Sequence, residues 1–365
     1  MRILCFGTYE RRRQPRMVVL REGFEASGDE VLECNEPLSL DTSLRVEMLR
    51  KPWLLPILGA RVLVTWTRLL RRARCLPRVD AVVVGYMGHF DVHLARRIWP
   101  RTPIVLDHMI SARDTALDRG IANPRLLRIL DRVDRAAVRA ADLPLVDTEE
   151  HLDLLAPDAR SRAMVVPVGA PERCFRGPAQ QHEPPLRVIF FGLFTPLQGA
   201  PAIGEAIGLL ADAGISIRFT MVGDGQDYER TRRAAAGNPK VLWLGWTDPE
   251  RIPDLLAEHD VCLGIFGTTQ KGRRVVPHKV YEGAAAGCAI VTSDTPPQRR
   301  ALGGAAVFVP PGDAKELAAA LRALAADPER VRALRESARR LADESFRGAA
   351  VVGPLRARLA MTARR

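Results

Sequence analysis

Val276-Pro277-His278-Lys279-Val280-Tyr281-Glu282-Gly283-Ala284-Ala285-Ala286-Gly287-Cys288-Ala289-Ile290-Val291 reads as a loop, a short helix and a buried strand in quick succession. Pro277 suits the first helical position, where its missing N–H costs nothing. Alanines carry the helix, and Gly287 can end it in a left-handed cap. Glu282 stands early in the helix, where the macrodipole favours a carboxylate. Free N–H groups at the helix start form a seat for phosphate. Lys279 precedes Glu282 by three residues, so both project from one helical face. A cation and a carboxylate beside such a seat suit a nucleotide: the cation for phosphate, the carboxylate for ribose hydroxyls. The plain alternative is a surface helix with an ion pair.

The stretch resembles the donor-binding motif of retaining GT-B glycosyltransferases, the large family 4 of group 1 enzymes. Within it, it is similar to a bacterial subgroup with the pattern IPxKxxE…AxGxPVVTxDTP. Here that pattern is Val276-Pro277-His278-Lys279, then Glu282, then Ala286-Gly287-Cys288-Ala289-Ile290-Val291-Thr292-Ser293-Asp294-Thr295-Pro296. Val188-Ile189-Phe190-Phe191-Gly192, Val222-Gly223-Asp224-Gly225, Leu244-Gly245-Trp246 and Val309-Pro310-Pro311-Gly312-Asp313 extend the resemblance over nearly the whole chain. Their order and spacing carry it; no one of them is specific.

Composition bounds the alternatives. A chain of 365 residues favours about two domains, and 47% hydrophobic residues suffice for two packed cores. The net charge of +11 is spread out in short arginine runs, and aromatics make up only 5%. That combination offers no base-stacking surface, so nucleic acid is not an expected partner. Anionic lipid or an anionic nucleotide-sugar accounts for a basic protein at least as well. The six cysteines lie far apart without a C-x-x-C pair, which argues against zinc and for buried reduced thiols in a cytoplasmic protein. The first apolar run, Met1 to Gly7, is too short for a signal peptide and reads as a strand ending in a glycine turn.

Apolar runs of strand length alternate with amphipathic segments. Expected strands are Arg2–Phe6, Glu30–Glu33, Ala81–Val84, Ile104–Leu106, Pro144–Val146, Arg187–Phe191, Ser216–Val222, Val241–Leu244, Val261–Ile265, Ala289–Thr292 and Ala306–Val309. Helical patterns such as Arg125–Ala141 and Ala202–Ala213 separate them. Continuous apolar strands alternating with helices mean α/β architecture with parallel sheets covered on both faces. A Pro-rich polar segment, 169–185, breaks the alternation and reads as a linker. Two Rossmann-like halves follow, 1–168 and 186–344, facing across a cleft at the carboxyl ends of their strands. The resemblance names this fold GT-B and implies that the last segment, 345–365, is a helix packing back on the first, acceptor-side domain.

In the second half, Gly192-Leu193-Phe194-Thr195-Pro196-Leu197-Gln198-Gly199 follows a strand. Its glycines permit close approach of backbone to phosphate, and Thr195 offers a hydroxyl. The family carries a lysine where Gln198 stands, so Lys271, Arg273, Arg274 and Lys279 become the candidate charges for the diphosphate. The family also has a Glu-x7-Glu motif, of which Glu282 matches the second carboxylate and Arg274 replaces the first. Arg274 either helps neutralise the diphosphate or is a solvated loop charge. Gly223-Asp224-Gly225 fails as G-x-G-x-x-G because Tyr228 holds the last glycine position, which disfavours a nicotinamide dehydrogenase.

In the first half, His108 and Asp107 end a buried strand. By resemblance this loop touches donor sugar and acceptor, so either residue could orient the acceptor or share its proton; a hydrogen-bonded structural histidine is the alternative. Gly7, Thr8 and His89 lie on strand-end loops that would bound the acceptor site, and Asp91 either lines the cleft with His89 or caps the next helix. No Asp-x-Asp pair occurs, in keeping with a reaction that needs no metal or cofactor. The resemblance thus implies a retaining transfer from a nucleotide-diphosphate sugar to a hydroxyl acceptor, a glycan or a lipid-linked one. A silent scaffold of a polysaccharide assembly complex and a nucleotide-sugar epimerase are the rival readings. The apolar stretch Pro52 to Arg74 is interrupted by Pro56, Gly59 and Arg61, which speaks against a spanning helix. It is either an interfacial helix at the inner membrane face, contacting anionic lipid, or a core helix with a solvated arginine end.

Overall fold

The computed structural model describes residues 1–10, 14–38, 55–175, 183–236 and 238–362. These divide into two compact units, Met1–Pro167 with Gly348–Arg365, and Val168–Arg347. Each is built on a six-stranded, wholly parallel sheet.

In the first unit the strands are β1 (Arg2–Gly7), β2 (Glu30–Asn35), β3 (Ala81–Val84), β4 (Ile104–Asp107), β5 (Leu143–Val146) and β6 (Met164–Val165), in spatial order β2-β1-β3-β4-β5-β6. β1, β3 and β4 are buried on both faces, which is why they read as unbroken apolar runs. Helix α1 (Pro15–Ala26) covers one face together with the C-terminal helix (Gly348–Thr362). That contact is backbone-close: a Cβ on Gly23 would lie 2.2 Å from the Gly348 carbonyl oxygen. On the other face lie α2 (Leu55–Ala73), α3 (Asp91–Ile98) and α5 (Pro124–Ala140), whose Leu69, Val92, Leu94 and Ala137 share one core with Phe6, Val84 and Leu106. A short helix, α4 (Ala112–Asp118), precedes α5.

The second unit has β7 (Arg187–Phe191), β8 (Arg218–Val222), β9 (Val241–Leu244), β10 (Val261–Leu263), β11 (Ala289–Ser293) and β12 (Ala306–Val309), ordered β12-β11-β10-β7-β8-β9. Its helices include α6 (Ala200–Asp212), α7 (His278–Ala285), α8 (Pro296–Leu302), α9 (Ala314–Ala326) and α10 (Pro328–Ser345). Of the expected linker, residues 172–174 form a turn of 3₁₀ helix within this unit, and 176–182 lie outside the described residues.

Two local expectations need correction. Pro277 is the extended residue preceding α7, with φ −75° and ψ 154°, and His278 is the first helical residue. The stretch from Pro52 folds as α2 from Leu55 onward, with Pro52, Trp53 and Leu54 outside the described residues. α2 has one buried side and one exposed side. Leu69 is fully buried, whereas Leu63 and Val64 are exposed. No helix among the described residues is long and apolar enough to cross a membrane.

Candidate functional site

Each sheet reverses its strand order once, beside β1 and β3 in the first unit and beside β7 and β10 in the second. Loops at the carboxyl ends of these strands are where open α/β sheets bind ligands.

In the second unit the loop after β7 begins with Gly192 (φ +134°) and ends with Gly199 (φ +64°), which precedes α6. A Cβ on Gly199 would strike the backbone of Phe266, 2.3 Å away, so only glycine lets this loop lie against the one after β10. Thr195 is buried, and its Oγ1 is not the cap of the following turn. Gln198 accepts a 2.6 Å hydrogen bond from Lys279 Nζ, which also sits 3.6 Å from the centroid of the Phe190 ring. Gly192 is part of the same cluster, since a Cβ there would lie 3.2 Å from Lys279 Nζ. Three expected residues on two segments therefore converge: Gly192 and Gln198 from the β7 loop, Lys279 from α7. Arg274 goes elsewhere; its guanidinium donates to Gln270 Oε1 at 3.2 Å within its own loop.

Helix α7 carries the central pair. Gly283 lets it press onto β10: a Cβ there would lie 2.7 Å from Cys262 Cβ. Gly287, at φ +82°, closes the helix, with Cys288 N–H donating to the Gly283 carbonyl at 2.9 Å. Lys279 and Glu282 are each only 4% exposed. Burial pulls the Lys279 ammonium down from 10.5 to about 7, although Cys262 and Glu282 oppose it. Burial likewise pushes the Glu282 carboxyl up from 4.5 to about 7, against the charges of Arg173 and Lys279. Glu282 Oε1 has no hydrogen-bond partner, and neither does the buried hydroxyl of Thr295, just past β11. Buried polar atoms without partners are uncommon and costly.

The first unit uses its strand ends differently. Thr8 donates through both its amide (2.7 Å) and hydroxyl (2.8 Å) to Asp91 Oδ2, and Trp66 Nε1 donates to Asp91 Oδ1 at 2.9 Å. Asp91 is thus a tie between β1, α2 and α3, where sequence suggested a helix cap. Gly7 makes room for it, because a Cβ there would lie 3.0 Å from Asp91 Oδ2. Asp107 is buried and paired with the fully buried Arg16, Nε to Oδ1 at 3.3 Å. Arg16 also donates to the carbonyls of Val166 and Pro167. Burial raises the Asp107 pKa despite Arg16. Asp107 is thus tied to Arg16 through Oδ1, while its Oδ2 has no hydrogen-bond partner.

His108 stands apart from that pair. Its ring meets His89 edge-on at 5.4 Å, and His89 Nε2 lies 2.8 Å from Asp134 Oδ1, off the line of an ideal hydrogen bond. Asp134, on α5, also accepts from Ser111 Oγ (2.8 Å) and the amides of Ala112 (2.9 Å) and Arg113 (3.1 Å). Burial opposes ionisation of Asp134, but the His89 contact, both histidine charges and the Ala112 amide outweigh it and hold the carboxyl at about 2. Burial, reinforced by His89, lowers His108 to about 4, so its imidazole is neutral near pH 7. Ligand atoms of His89, His108 and Asp134 lie within 4.8 Å of one another, a spacing from which a metal ion could be held. Asp134, however, already serves as the anchor of the α4 start. Sequence reasoning missed Asp134, Arg173 and Thr295; only Thr295 lay in a quoted motif.

Solved structures match this fold along the whole chain. Sucrose-phosphate synthase from Thermosynechococcus elongatus has a TM-score of 0.70 at 14% identity, with 99% of each chain covered. Anabaena HepE in complex with UDP-glucose has 0.66 at 14%, covering 99% of this chain and 100% of that one. "Trehalose-6-phosphate" from E. coli, bound with UDP-2-fluoro glucose, has 0.67 at 15%, covering 98% and 99%. The architecture is therefore the GT-B fold, two α/β units on parallel six-stranded sheets. More particularly, residues 185–327 match the family described as glycosyl transferases group 1. No curated protein sequence matches the chain.

Proposed function

We propose that the protein is a retaining glycosyltransferase that moves a sugar from a nucleotide-diphosphate sugar to a hydroxyl acceptor. The observation that carries this reading is the buried Lys279–Gln198 contact beside Gly192, one helical turn from Glu282 and its unpartnered oxygen. Lys279 meets the diphosphate, and Glu282 accepts from ribose hydroxyls. The start of α7 and the glycine backbone supply further N–H groups to the leaving diphosphate. The match of residues 185–327 to group 1 glycosyl transferases supports the same assignment. UDP-glucose and UDP-2-fluoro glucose bound to structures of similar fold make a uridine nucleotide the first to test.

In the first unit, neutral His108 orients the acceptor and His89 holds it in place, with Asp134 behind. The resemblance noted from sequence implies front-face transfer, in which the departing phosphate assists removal of the acceptor proton. Such a reaction asks the protein for positioning and charge stabilisation and needs no metal ion. The experiment is incubation of the protein with nucleotide-sugars and hydroxyl acceptors, followed by nuclear magnetic resonance of the product anomer. An α-linked product from an α-linked donor supports retention. Ring inversion without an acceptor would mark an epimerase, and absence of any diphosphate release would mark a silent scaffold.

A further inference from the structure

Helix α5 carries arginine at positions 125, 128, 132, 135 and 139, all exposed. At 3.6 residues per turn these five fall within an arc of about 80° and run along about 21 Å of the helix. The opposite arc holds Leu130, Asp134, Ala137 and Val138, all buried. The helix has two acids: Asp134, buried under the stripe, and Asp131, at its edge and paired with Arg135 at 2.9 Å. Four of them, Arg128, Arg132, Arg135 and Arg139, border an open trough of about 440 Å³ together with Asp131 and Ala136.

The same layer continues the pattern. α2, α3 and α5 cover one face of the first sheet, with α3 touching both neighbours. α2 has no acidic residue, and its outward side mixes exposed Arg61, Arg68 and Arg71 with exposed Leu63 (64%) and Val64 (54%). Between them α3 adds exposed Arg97, and α5 adds exposed Ile129 (54%). Arginine is thus repeated on neighbouring helices of one face, interspersed with aliphatic side chains.

We propose that this outer helix face of the first unit docks onto an anionic membrane surface. Headgroup phosphates meet the arginine stripe, and Leu63, Val64 and Ile129 reach the acyl boundary, in the manner of an interfacial helix. Charge complementarity selects the partner. The exposed apolar residues on α2 and α5 are aliphatic, which suits lipid, whereas a nucleic-acid surface uses aromatic stacking. The contact is independent of the donor-site assignment.

The test is co-sedimentation of the full chain with phosphatidylcholine vesicles containing phosphatidylserine, against pure phosphatidylcholine, at low and high salt. Wild type should pellet with the anionic vesicles at low salt and be released as salt rises. The combined variant Arg125→Gln, Arg128→Gln, Arg132→Gln, Arg139→Gln removes exposed groups only, and unchanged circular dichroism and melting temperature confirm its fold. At about fivefold per arginine, its partitioning should fall on the order of several hundred-fold. The same four positions changed to lysine should retain binding, and Leu63→Ser with Val64→Ser should lower it at every salt concentration. Wild type left in the supernatant at low salt overturns the proposal. So does a glutamine variant that pellets like wild type, or one that loses only its affinity for a single-stranded oligonucleotide.

Discussion

Replacing Lys279 by Met removes the buried ammonium that the proposal sets against the donor diphosphate. The Lys279 ammonium lies 3.6 Å from the Phe190 ring centroid, and methionine fills most of the same buried volume with apolar atoms, so packing is largely preserved. Two magnitudes follow. A hydrogen bond to a charged group contributes about 1.5–3 kcal/mol, so UDP-glucose should bind roughly 10- to 150-fold more weakly at pH 7. Uridine, which lacks phosphate, should bind nearly as before. The second magnitude is in the pH profile. In the empty site Lys279 titrates at about 7, so it is about half charged at pH 7 and mostly neutral at pH 9. Binding that needs the cation must take up a proton above pH 7, and affinity should fall by up to about 50-fold between pH 7 and pH 9. Glu282 also titrates at about 7 and becomes more ionised over the same range, which favours ribose hydroxyls as donors to it. The descending limb therefore belongs to Lys279. It should persist in Glu282→Gln and vanish in Lys279→Met. Isothermal titration calorimetry at several pH values, in buffers of different ionisation enthalpy, reads both the affinity and the proton taken up. Equal losses for UDP-glucose and uridine, or a Lys279→Met variant that keeps the wild-type pH profile, would refute the phosphate role.

Glu282→Ala should lower transfer by about 100-fold or more, the loss of charged hydrogen bonds to the ribose, with melting temperature unchanged or raised because an unpartnered buried carboxyl oxygen is removed. Near-normal activity in that variant would displace the donor site. Asp107→Ala should destabilise the fold by about 3–5 kcal/mol in urea titration, because Arg16 is left as an uncompensated buried charge; a fully stable but inactive variant would instead make Asp107 catalytic. Transfer measured in excess EDTA should persist, and complete loss restored by magnesium or manganese would contradict metal independence.

The fold was legible because its parallel strands are mostly unbroken apolar runs of four or five residues. Ala81–Val84, Arg187–Phe191, Val241–Leu244 and Ala306–Val309 coincide with the strands read from sequence. β6 was not read, because Met164–Val165 is two residues long and only half-buried. β10 stops at Leu263, short of Ile265; there Gly264 packs against the Thr292 side chain, whose hydroxyl would lie 2.1 Å from an added Cβ. In the site, the departure at Gln198 was visible in sequence, and so was Lys279 as a compensating charge. That the two touch is a product of topology, since 81 residues separate them. Asp107 shows the converse. Sequence sees an ionisable group at a strand end, but its partner Arg16 stands 91 residues earlier on another element. Arg274 looked equivalent to Lys279 by charge; the backbone of its loop turns its guanidinium to Gln270.

Thermal-shift titration of the intact chain with UDP, UDP-glucose, uridine and inorganic phosphate tests the central claim most directly. A ligand that binds only the folded state raises the melting temperature in proportion to its saturation. The account predicts a clear rise with UDP and UDP-glucose, little with uridine or phosphate alone, and a rise lost in both Lys279→Met and Glu282→Ala. A protein that is stabilised by no nucleoside diphosphate or its sugars, whatever the base, would contradict it.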